Sequence, residues 1–258
     1  MPAISNIRIA GSAQDWAHQT AAFIASVSER AVRSHGRFIM ALSGGSTPKM
    51  LYQVLASSEW STRLDWTKIY FLFGDERCVP PDHPDSNFNM AHTALFHPLT
   101  LPQDHIFRMR GEGEDPSAVA QEYEETIRQL TKTPSPVVPR IDLVLLGLGD
   151  DGHTASLFPG TSALQETTKI VTVGHAPTGI RSRLTLTLGV LNRAAMVLFL
   201  VTGKSKVDMV HRVLEPDSEE DRSLPAACVS PESGQLVWML DQAAAQGLTK
   251  RLPHEGDA

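Results

Sequence analysis

The sequence has few cysteines, few aromatic residues and no excess of positive charge. Its two cysteines, Cys78 and Cys228, lie far apart and in no metal-ligand spacing, so we expect buried, reduced thiols rather than a disulfide framework. Aromatic residues make up 6% of the 258 residues, and the formal net charge is −6. An acidic chain without a clustered basic stripe argues against a nucleic-acid partner.

Long apolar runs are also missing. No window is apolar over the length needed to cross a bilayer, so we expect no membrane partner. The first residues lack a basic region followed by an apolar run, so we expect no export signal. Together with reduced cysteines, these absences predict a cytoplasmic protein.

The residues that are present suit an ordinary globular enzyme. Hydrophobic residues make up 41% and charged residues 20% of the chain, which excludes disorder for most of it. A chain of this length can bury a sizeable core. We therefore expect one α/β domain over residues 1–258, with the last residues, 250–258, frayed.

Apolar runs alternate with helical patterns along the chain. An amphipathic helix is predicted over 15–36, ending at Gly36. Four apolar runs (37–42, 68–77, 141–153 and 195–206) each end in glycine and polar residues, and 183–191 alternates like a further strand. This order predicts a doubly wound, mainly parallel sheet with helices on both faces, a Rossmann-like fold.

Three other segments carry no strong strand signal. The proline-rich stretches 80–89 and 131–140 are predicted to be loops, and the first is long enough to be functional. The segment 224–247 is expected to form a turn or strand followed by a helix.

A glycine-rich turn follows the strand predicted at 37–42. Gly44 and Gly45 let backbone N–H groups approach a ligand, while Ser43, Ser46 and Thr47 add hydroxyl groups. We expect Ser46 and Thr47 to cap the following helix, with Pro48 at its first position. A helix N-terminus favours a phosphate, although a plain capped turn explains the residues equally well.

Positive charges near two other strands suit the same anion. Lys204 and Lys206 lie where a helix should begin, a position that disfavours cations unless an anion compensates them. Arg183, at the start of the strand predicted over 183–191, could add a third positive charge to the same anion site. The alternative is that all three side chains are ordinary surface charges.

Acids and bases follow the remaining two strands. Asp75, Glu76 and Arg77 form either a structural ion pair or a group in which the arginine stabilises negative charge. Asp151 and His153 suit an orienting carboxylate and a general base, since histidine titrates near neutrality. Because the carboxyl ends of parallel strands converge, we expect all four clusters to meet around one crevice.

Two other chemistries are less well supported by the sequence. The acidic and histidine residues between Asp82 and His97 match no zinc spacing, so no metal and no cofactor are predicted. Ser156 lacks the G-x-S-x-G elbow of serine hydrolases on α/β sheets, which argues against a serine nucleophile.

With these motifs in this order, the sequence resembles the 6-phosphogluconolactonase family, within a fold group that also holds glucosamine-6-phosphate deaminases. The resemblance spans nearly the whole chain and is carried by residues 41–48, 73–87, 145–160, 183–187 and 201–206. It implies that residues 43–47, Arg183 and Lys206 hold a phosphate, with Lys204 outside the pattern. It further implies that His153 is the general base, Asp151 its partner, and Arg77 a substrate or transition-state contact. Asp75 is a further candidate for a substrate contact.

The same resemblance separates two activities. Deaminases of the group have a catalytic glutamate five residues after the histidine, where this chain has Phe158. The expected reaction is therefore hydrolysis of a small phosphorylated lactone, 6-phospho-D-glucono-1,5-lactone. A sugar-phosphate isomerase or deaminase, or a non-enzymatic sugar-phosphate sensor, remains the alternative.

Overall fold

The computed structural model describes residues 5–249, and its centre is a six-stranded parallel sheet. The strand order is β1-β9-β8-β5-β2-β3, and every neighbouring pair is parallel. The strands are β1 (Ser5–Ala10), β2 (Phe38–Leu42), β3 (Ile69–Phe73), β5 (Leu143–Leu146), β8 (Met196–Val201) and β9 (Gln235–Asp241). The predicted α/β fold class is confirmed.

The strands of this sheet form because their residues are almost continuously apolar. Every residue of β2 and β8 is buried, as expected for strands covered on both faces. Phe199 of β8 stacks on Trp238 of β9, with ring centroids 3.9 Å apart and the ring planes nearly parallel. Burial of side chains of this size contributes about 1.5–3 kcal/mol each relative to exposure.

The helix predicted over 15–36 is confirmed as α1 (Ala13–His35). The Ser12 hydroxyl caps it by accepting a hydrogen bond from the backbone N–H of Asp15, 3.1 Å away. Gly36 ends it in the left-handed conformation, with φ of 79°. The other helices are α2 (Ser46–Leu55), α3 (Asn87–Ala91), α4 (His97–Leu99), α5 (Pro116–Thr131), α6 (Leu188–Arg193), α7 (Val207–Leu214) and α8 (Glu219–Arg222).

A second, antiparallel sheet stands beside the first. It consists of β4 (Asp75–Arg77), β7 (Ser182–Leu186) and β6 (Val171–His175), in the order β4-β7-β6. The single strand signal at 68–77 is therefore two strands, since β3 ends at Phe73 and the chain changes sheet at Gly74. The strand signal at 183–191 belongs to this small sheet, and its last residues form α6.

Three predictions about connecting segments need correction or restriction. The loop predicted over 80–89 ends early, because α3 begins at Asn87 after its cap, Ser86. The closing segment contains β9, but only a short 3-10 turn, Ala244–Gly247, follows it. The prediction for residues 250–258 lies outside the described residues.

Cys78 and Cys228 are free but only partly buried, contrary to expectation.

No helix among the described residues is both long and apolar enough to cross a membrane.

Candidate active site

A cavity of about 270 Å³ lies at the carboxyl ends of the parallel strands. The four predicted clusters do meet there, because each contributes at least one residue to its wall. The lining residues are Ser43, Gly44, Gly45, Asp75, Arg77, Asn87, Gly147, Leu148, Gly149, Asp150, His153, Ala155 and Lys206.

His153 and Asp151 form a close pair in the loop that follows β5. The Nδ1 atom of His153 lies 2.5 Å from Oδ1 of Asp151, which also accepts a hydrogen bond from the backbone N–H of His153 at 3.1 Å. Burial works to raise the pKa of Asp151, but these hydrogen bonds outweigh it and hold that pKa below its ordinary value. The carboxylate therefore stays ionised and fixes the orientation of the ring.

Two neighbours fix the position of the His153 ring. A Cβ atom on Gly149 would lie 2.0 Å from Nδ1 of His153, so only glycine leaves room for the ring. Phe158 covers the ring from another side, with the centroids 4.4 Å apart. Phe158 is thus in direct contact with the candidate base.

Arg77 faces the cavity from the opposite wall. Its guanidinium donates to the backbone carbonyl of Asp85 at 2.7 Å and to Oδ1 of Asn87 at 2.8 Å. The Asn87 amide in turn donates to the backbone carbonyl of Asp75 at 2.9 Å. A Cβ on Gly44 would lie 1.9 Å from Oδ1 of Asn87, so the amide fills the space that this glycine leaves.

Glu76 organises this wall from beneath. It is 2% exposed, and its carboxylate accepts the backbone N–H groups of Arg77 (2.8 Å), Asn87 (2.7 Å) and Phe88 (2.8 Å) and the hydroxyl of Ser86 (3.0 Å). Burial raises the pKa of Glu76 although the backbone hydrogen bonds oppose that rise. Glu76 thus has a structural role, but through backbone N–H groups and a hydroxyl rather than through the ion pair with Arg77 that the sequence suggested.

Asp75 is buried and has protein partners. Its Oδ2 accepts a hydrogen bond from the Ser156 hydroxyl at 2.6 Å, and its Oδ1 lies 3.3 Å from the Asn87 amide nitrogen. Ser156 is 1% exposed, in line with the prediction that it is not a nucleophile. Asp75 lines the cavity, but its role as a substrate contact stays a prediction.

Arg183 lies beside Arg77 rather than on the cavity wall. The two residues are paired across β4 and β7, and the Nε of each is buried without a hydrogen-bond partner among the described residues. Burial, followed by the charge of Arg77, lowers the pKa of Arg183. Two adjacent guanidinium groups with unused donors suit an anion. The proposed phosphate role of Arg183 is compatible with this arrangement and stays a prediction.

The expected helix cap after the glycine-rich turn is wrong. Gly45 is the N-cap, with φ of 103° and no side-chain capping bond, while Ser46 and Thr47 are the first two residues of α2. Pro48 is therefore third rather than first. The Thr47 hydroxyl lies 2.9 Å from that of Thr202, which ties α2 to the turn after β8. The phosphate roles of Ser46 and Thr47 remain predictions.

Lys206 lines the cavity, whereas Lys204 does not. The two lysines bound a 3-10 turn that leads into α7, as expected for residues at a helix start. The Lys206 ammonium lies 2.5 Å from a carboxylate oxygen of Asp150, whose side chain is 84% exposed. This ion pair was not predicted from the sequence.

Asn87 and Glu76 are the residues whose roles the sequence did not reveal. Asn87 was treated as part of a loop, and its contacts with Gly44 and Arg77 join segments far apart along the chain. A polar cap motif, Ser86 followed by Asn89, was available as a signal for a helix start. Across residues 5–249, no group of three or more His, Cys, Asp or Glu side chains could hold a metal ion.

Comparison with known proteins identifies the family. The sequence profile of glucosamine-6-phosphate isomerases and 6-phosphogluconolactonases matches residues 11–238. The chain belongs to this family. A 6-phosphogluconolactonase from Synechocystis is 42% identical over 85% of this chain and 88% of its own length. One from Homo sapiens is 40% identical over 84% of this chain and 83% of its own.

Solved structures support the same family membership. The 6-phosphogluconolactonase from Trypanosoma cruzi superposes with a TM-score of 0.84 at 32% identity, covering 97% of this chain and 99% of its own. A monomeric glucosamine-6-phosphate deaminase superposes with a TM-score of 0.74 at 21% identity, covering 94% of this chain and 100% of its own, which shows the shared fold alone.

Proposed function

We propose that this chain hydrolyses 6-phospho-D-glucono-1,5-lactone to 6-phospho-D-gluconate, with His153 as the general base. The observation that carries the proposal is the His153–Asp151 pair, 2.5 Å apart, in a cavity that also presents Arg77 and Lys206. The relatives named 6-phosphogluconolactonase support the choice of substrate.

The reaction needs one proton acceptor that becomes a proton donor. With Nδ1–H donating to ionised Asp151, Nε2 of His153 carries the free lone pair. That nitrogen takes a proton from water as the water oxygen bonds to the lactone carbonyl carbon. When the bond between that carbon and the ring oxygen breaks, His153 returns the proton to the ring oxygen, which becomes a hydroxyl group.

Arg77 stabilises the negative charge that develops on the carbonyl oxygen. A guanidinium presents several donors in a rigid fork, and that of Arg77 is held by Asn87 and Asp85 before substrate arrives. A donor that is already oriented needs no reorganisation during the reaction, and loss of one such donor costs about 3 kcal/mol in other enzymes. Backbone N–H groups of the glycine-rich turn can serve the same oxyanion.

The phosphate end of the substrate holds the reacting carbonyl in place. Lys206 supplies a charge at the cavity wall, and Ser43, Gly44, Gly45, Ser46 and Thr47 supply the turn and the start of α2. Arg183, beside Arg77, adds donors that no described residue uses. Binding energy from a group remote from the reacting bond holds the reacting carbonyl in the correct orientation. Asp75 supports the cavity wall through its hydrogen bonds with Ser156 and Asn87.

We further propose that residues 1–258 form a single domain acting in the cytoplasm, without metal, cofactor, nucleic acid or membrane. The net charge of −6 and the two free cysteines support this setting. A general base and fixed donors are sufficient for ester hydrolysis.

The deciding experiment is a lactonase assay on freshly generated lactone. Acid release should exceed the spontaneous rate by orders of magnitude and be unchanged by a chelator. Acid release at the spontaneous rate would overturn the activity, and inhibition by chelator would overturn its independence of metal. Ammonia release from glucosamine 6-phosphate would instead assign the deaminase reaction, for which Phe158 supplies no carboxylate.

A further inference from the structure

A second and larger cleft, of about 820 Å³, lies at the opposite edge of the central sheet. Its wall includes residues that begin or directly precede parallel strands: Arg37 before β2, Asp142 before β5, Met196 at the start of β8 and Gln235 at the start of β9. The last two turns of α1 and the end of α5 complete it. This cleft shares no lining residue with the candidate active site.

The charged residues of this cleft are mostly cationic. Arg30, Arg37, Lys132 and Arg140 line it together with His35, while Asp142 is the one carboxylate among its lining residues. Both oxygens of Asp142 are engaged, one by the backbone N–H of Ile39 at 2.8 Å and one by Nε2 of His35 at 3.1 Å. The excess of positive charge stands out in a chain whose net charge is −6.

The arginines of the cleft differ from most others in lacking carboxylate partners. Elsewhere on the described surface, arginines form salt bridges with Asp or Glu, as do Arg33, Arg63, Arg108, Arg110, Arg128, Arg193, Arg212 and Arg222. Within residues 5–249, Arg37 and Arg140 form no salt bridge or hydrogen bond through their side chains, and Arg30 reaches only the Ser26 hydroxyl at 3.3 Å.

The other arginines without a salt bridge to a carboxylate indicate what the arginines of this cleft could bind. Arg77 and Arg183 are in this class, and both stand at the candidate active site, where we expect an anion. Arg181, exposed at a turn, is the isolated case. Unpaired arginines therefore gather at two places on the described chain, the candidate active site and this cleft.

Helix ends explain only part of the charge. The carbonyl ends of α1 and α5 both reach the cleft and favour cations, which accounts for His35 and Lys132. Arg37 and Arg140 belong to neither helix, because they precede β2 and β5. Arg37 lies near Asp142 and its charge opposes the rise that burial causes in the pKa of that carboxyl, but within residues 5–249 neither Arg37 nor Arg140 forms a salt bridge or a side-chain hydrogen bond.

We propose that this cleft binds a small organic polyphosphate, a molecule carrying at least two phosphate groups. Its volume is in the range of ordinary small-molecule sites. Arginine forks suit phosphate oxygens because each can donate two parallel hydrogen bonds, and several arginines on separate segments suit several phosphates. Tyr70, stacked on His105 with centroids 4.3 Å apart, adds an aromatic side chain to the wall.

The test is calorimetric titration of the full chain with ATP and, separately, with tripolyphosphate at about 0.15 M salt, where weak surface charge effects are screened. Saturable binding is expected, and Arg37→Gln combined with Arg140→Gln should weaken it roughly tenfold or more. The matched control combines Arg33→Gln with Arg193→Gln, which removes the same charge from paired arginines outside the cleft. That control should bind as the wild type does.

A third arm separates this cleft from the active site. Lys206→Ala should retain polyphosphate binding, and the Arg37/Arg140 variant should retain the wild-type kcat and KM for lactone. The proposal is overturned by absence of saturable binding, by equal loss in the control variant, or by loss in Lys206→Ala. Tighter binding of an acidic peptide or of phosphatidylserine vesicles than of either polyphosphate would also overturn it.

Discussion

The two walls of the candidate active site are built differently. One, which we call the histidine wall, comprises residues 147–155 and Lys206; the other, the arginine wall, comprises residues 75–77 and 86–88. On the histidine wall the side chains of His153 and Asp151 are 33% and 42% exposed. On the arginine wall Glu76 and Asn87 are each 2% exposed and joined by several buried hydrogen bonds.

The two walls thus differ in the kind of role for which their residues are suited. Groups that exchange protons with water and substrate need access, whereas donors that must not reorganise need fixed partners. Substitutions on the histidine wall should therefore alter rate without altering stability, and substitutions on the arginine wall should alter both.

The largest effect is expected from His153→Ala. Loss of the general base should lower kcat by about 10²–10⁴-fold, the usual contribution of such a group. The thermal midpoint should stay close to that of wild type, because the ring is partly exposed. Steady-state kinetics and calorimetry on the same preparation measure both, and wild-type kcat in this variant would end the proposed mechanism.

Glu76→Ala should give the largest loss of stability. It leaves three backbone N–H groups and one hydroxyl without their acceptor, and the expected cost is about 3 kcal/mol. Glu166→Ala is the matched control, because Glu166 also accepts two backbone N–H groups and a hydroxyl, but lies nearer the surface, where water can replace it. Urea unfolding should separate the two variants clearly, and equal losses would contradict the comparison.

Asn87→Ala should reduce kcat/KM by roughly ten- to a hundredfold, since small displacements of a positioned group are costly. The variant removes one of the two acceptors that hold Arg77, leaving the carbonyl of Asp85, and it empties the space over Gly44. Asn89→Ala, in the same helix, removes only bonds to the carbonyls of Asp82 and His83. An equal effect of both substitutions on kcat/KM would mean that the Arg77 contact is unimportant.

Lys206→Ala should chiefly raise KM, by about tenfold, because it removes one charge-assisted contact to the phosphate. Lys204→Ala is the control, since Lys204 occupies the same turn without lining the cavity. Initial rates over a range of lactone concentrations distinguish KM from kcat. A tenfold rise in KM for Lys204→Ala would reverse the assignment of the two lysines.

The smallest predicted effect concerns the slope of a plot of log kcat/KM against pH. Because hydrogen bonds hold the pKa of Asp151 below its ordinary value, that carboxylate stays ionised to a lower pH than an ordinary aspartate does. Protonation of Asp151 should therefore not add to any fall of kcat/KM at mildly acidic pH, and the acid limb of the logarithmic plot should have a slope of no more than one. A slope of two would mean that Asp151 titrates in the same range as a second group.

The sequence predicted the central sheet and the proximity of Asp151 and His153 because their signals are local. Apolar runs mark β2, β5 and β8, and Asp151 and His153 are only two residues apart. The arginine wall was less predictable, since Asn87 reaches Arg77 and Gly44 only after the chain has changed sheets. The three-residue strand β4 is too short to show a period of two, and the Lys206–Asp150 contact joins segments from two different strands.

Under the phosphate role proposed for Lys206, its ion pair with Asp150 means that a bound phosphate has to share the ammonium with a carboxylate of the same chain. The ammonium has three N–H donors, so the contact with Asp150 leaves donors for a phosphate. The carboxylate also repels an incoming phosphate, so the affinity contributed by Lys206 is the difference between attraction by the lysine and repulsion by Asp150.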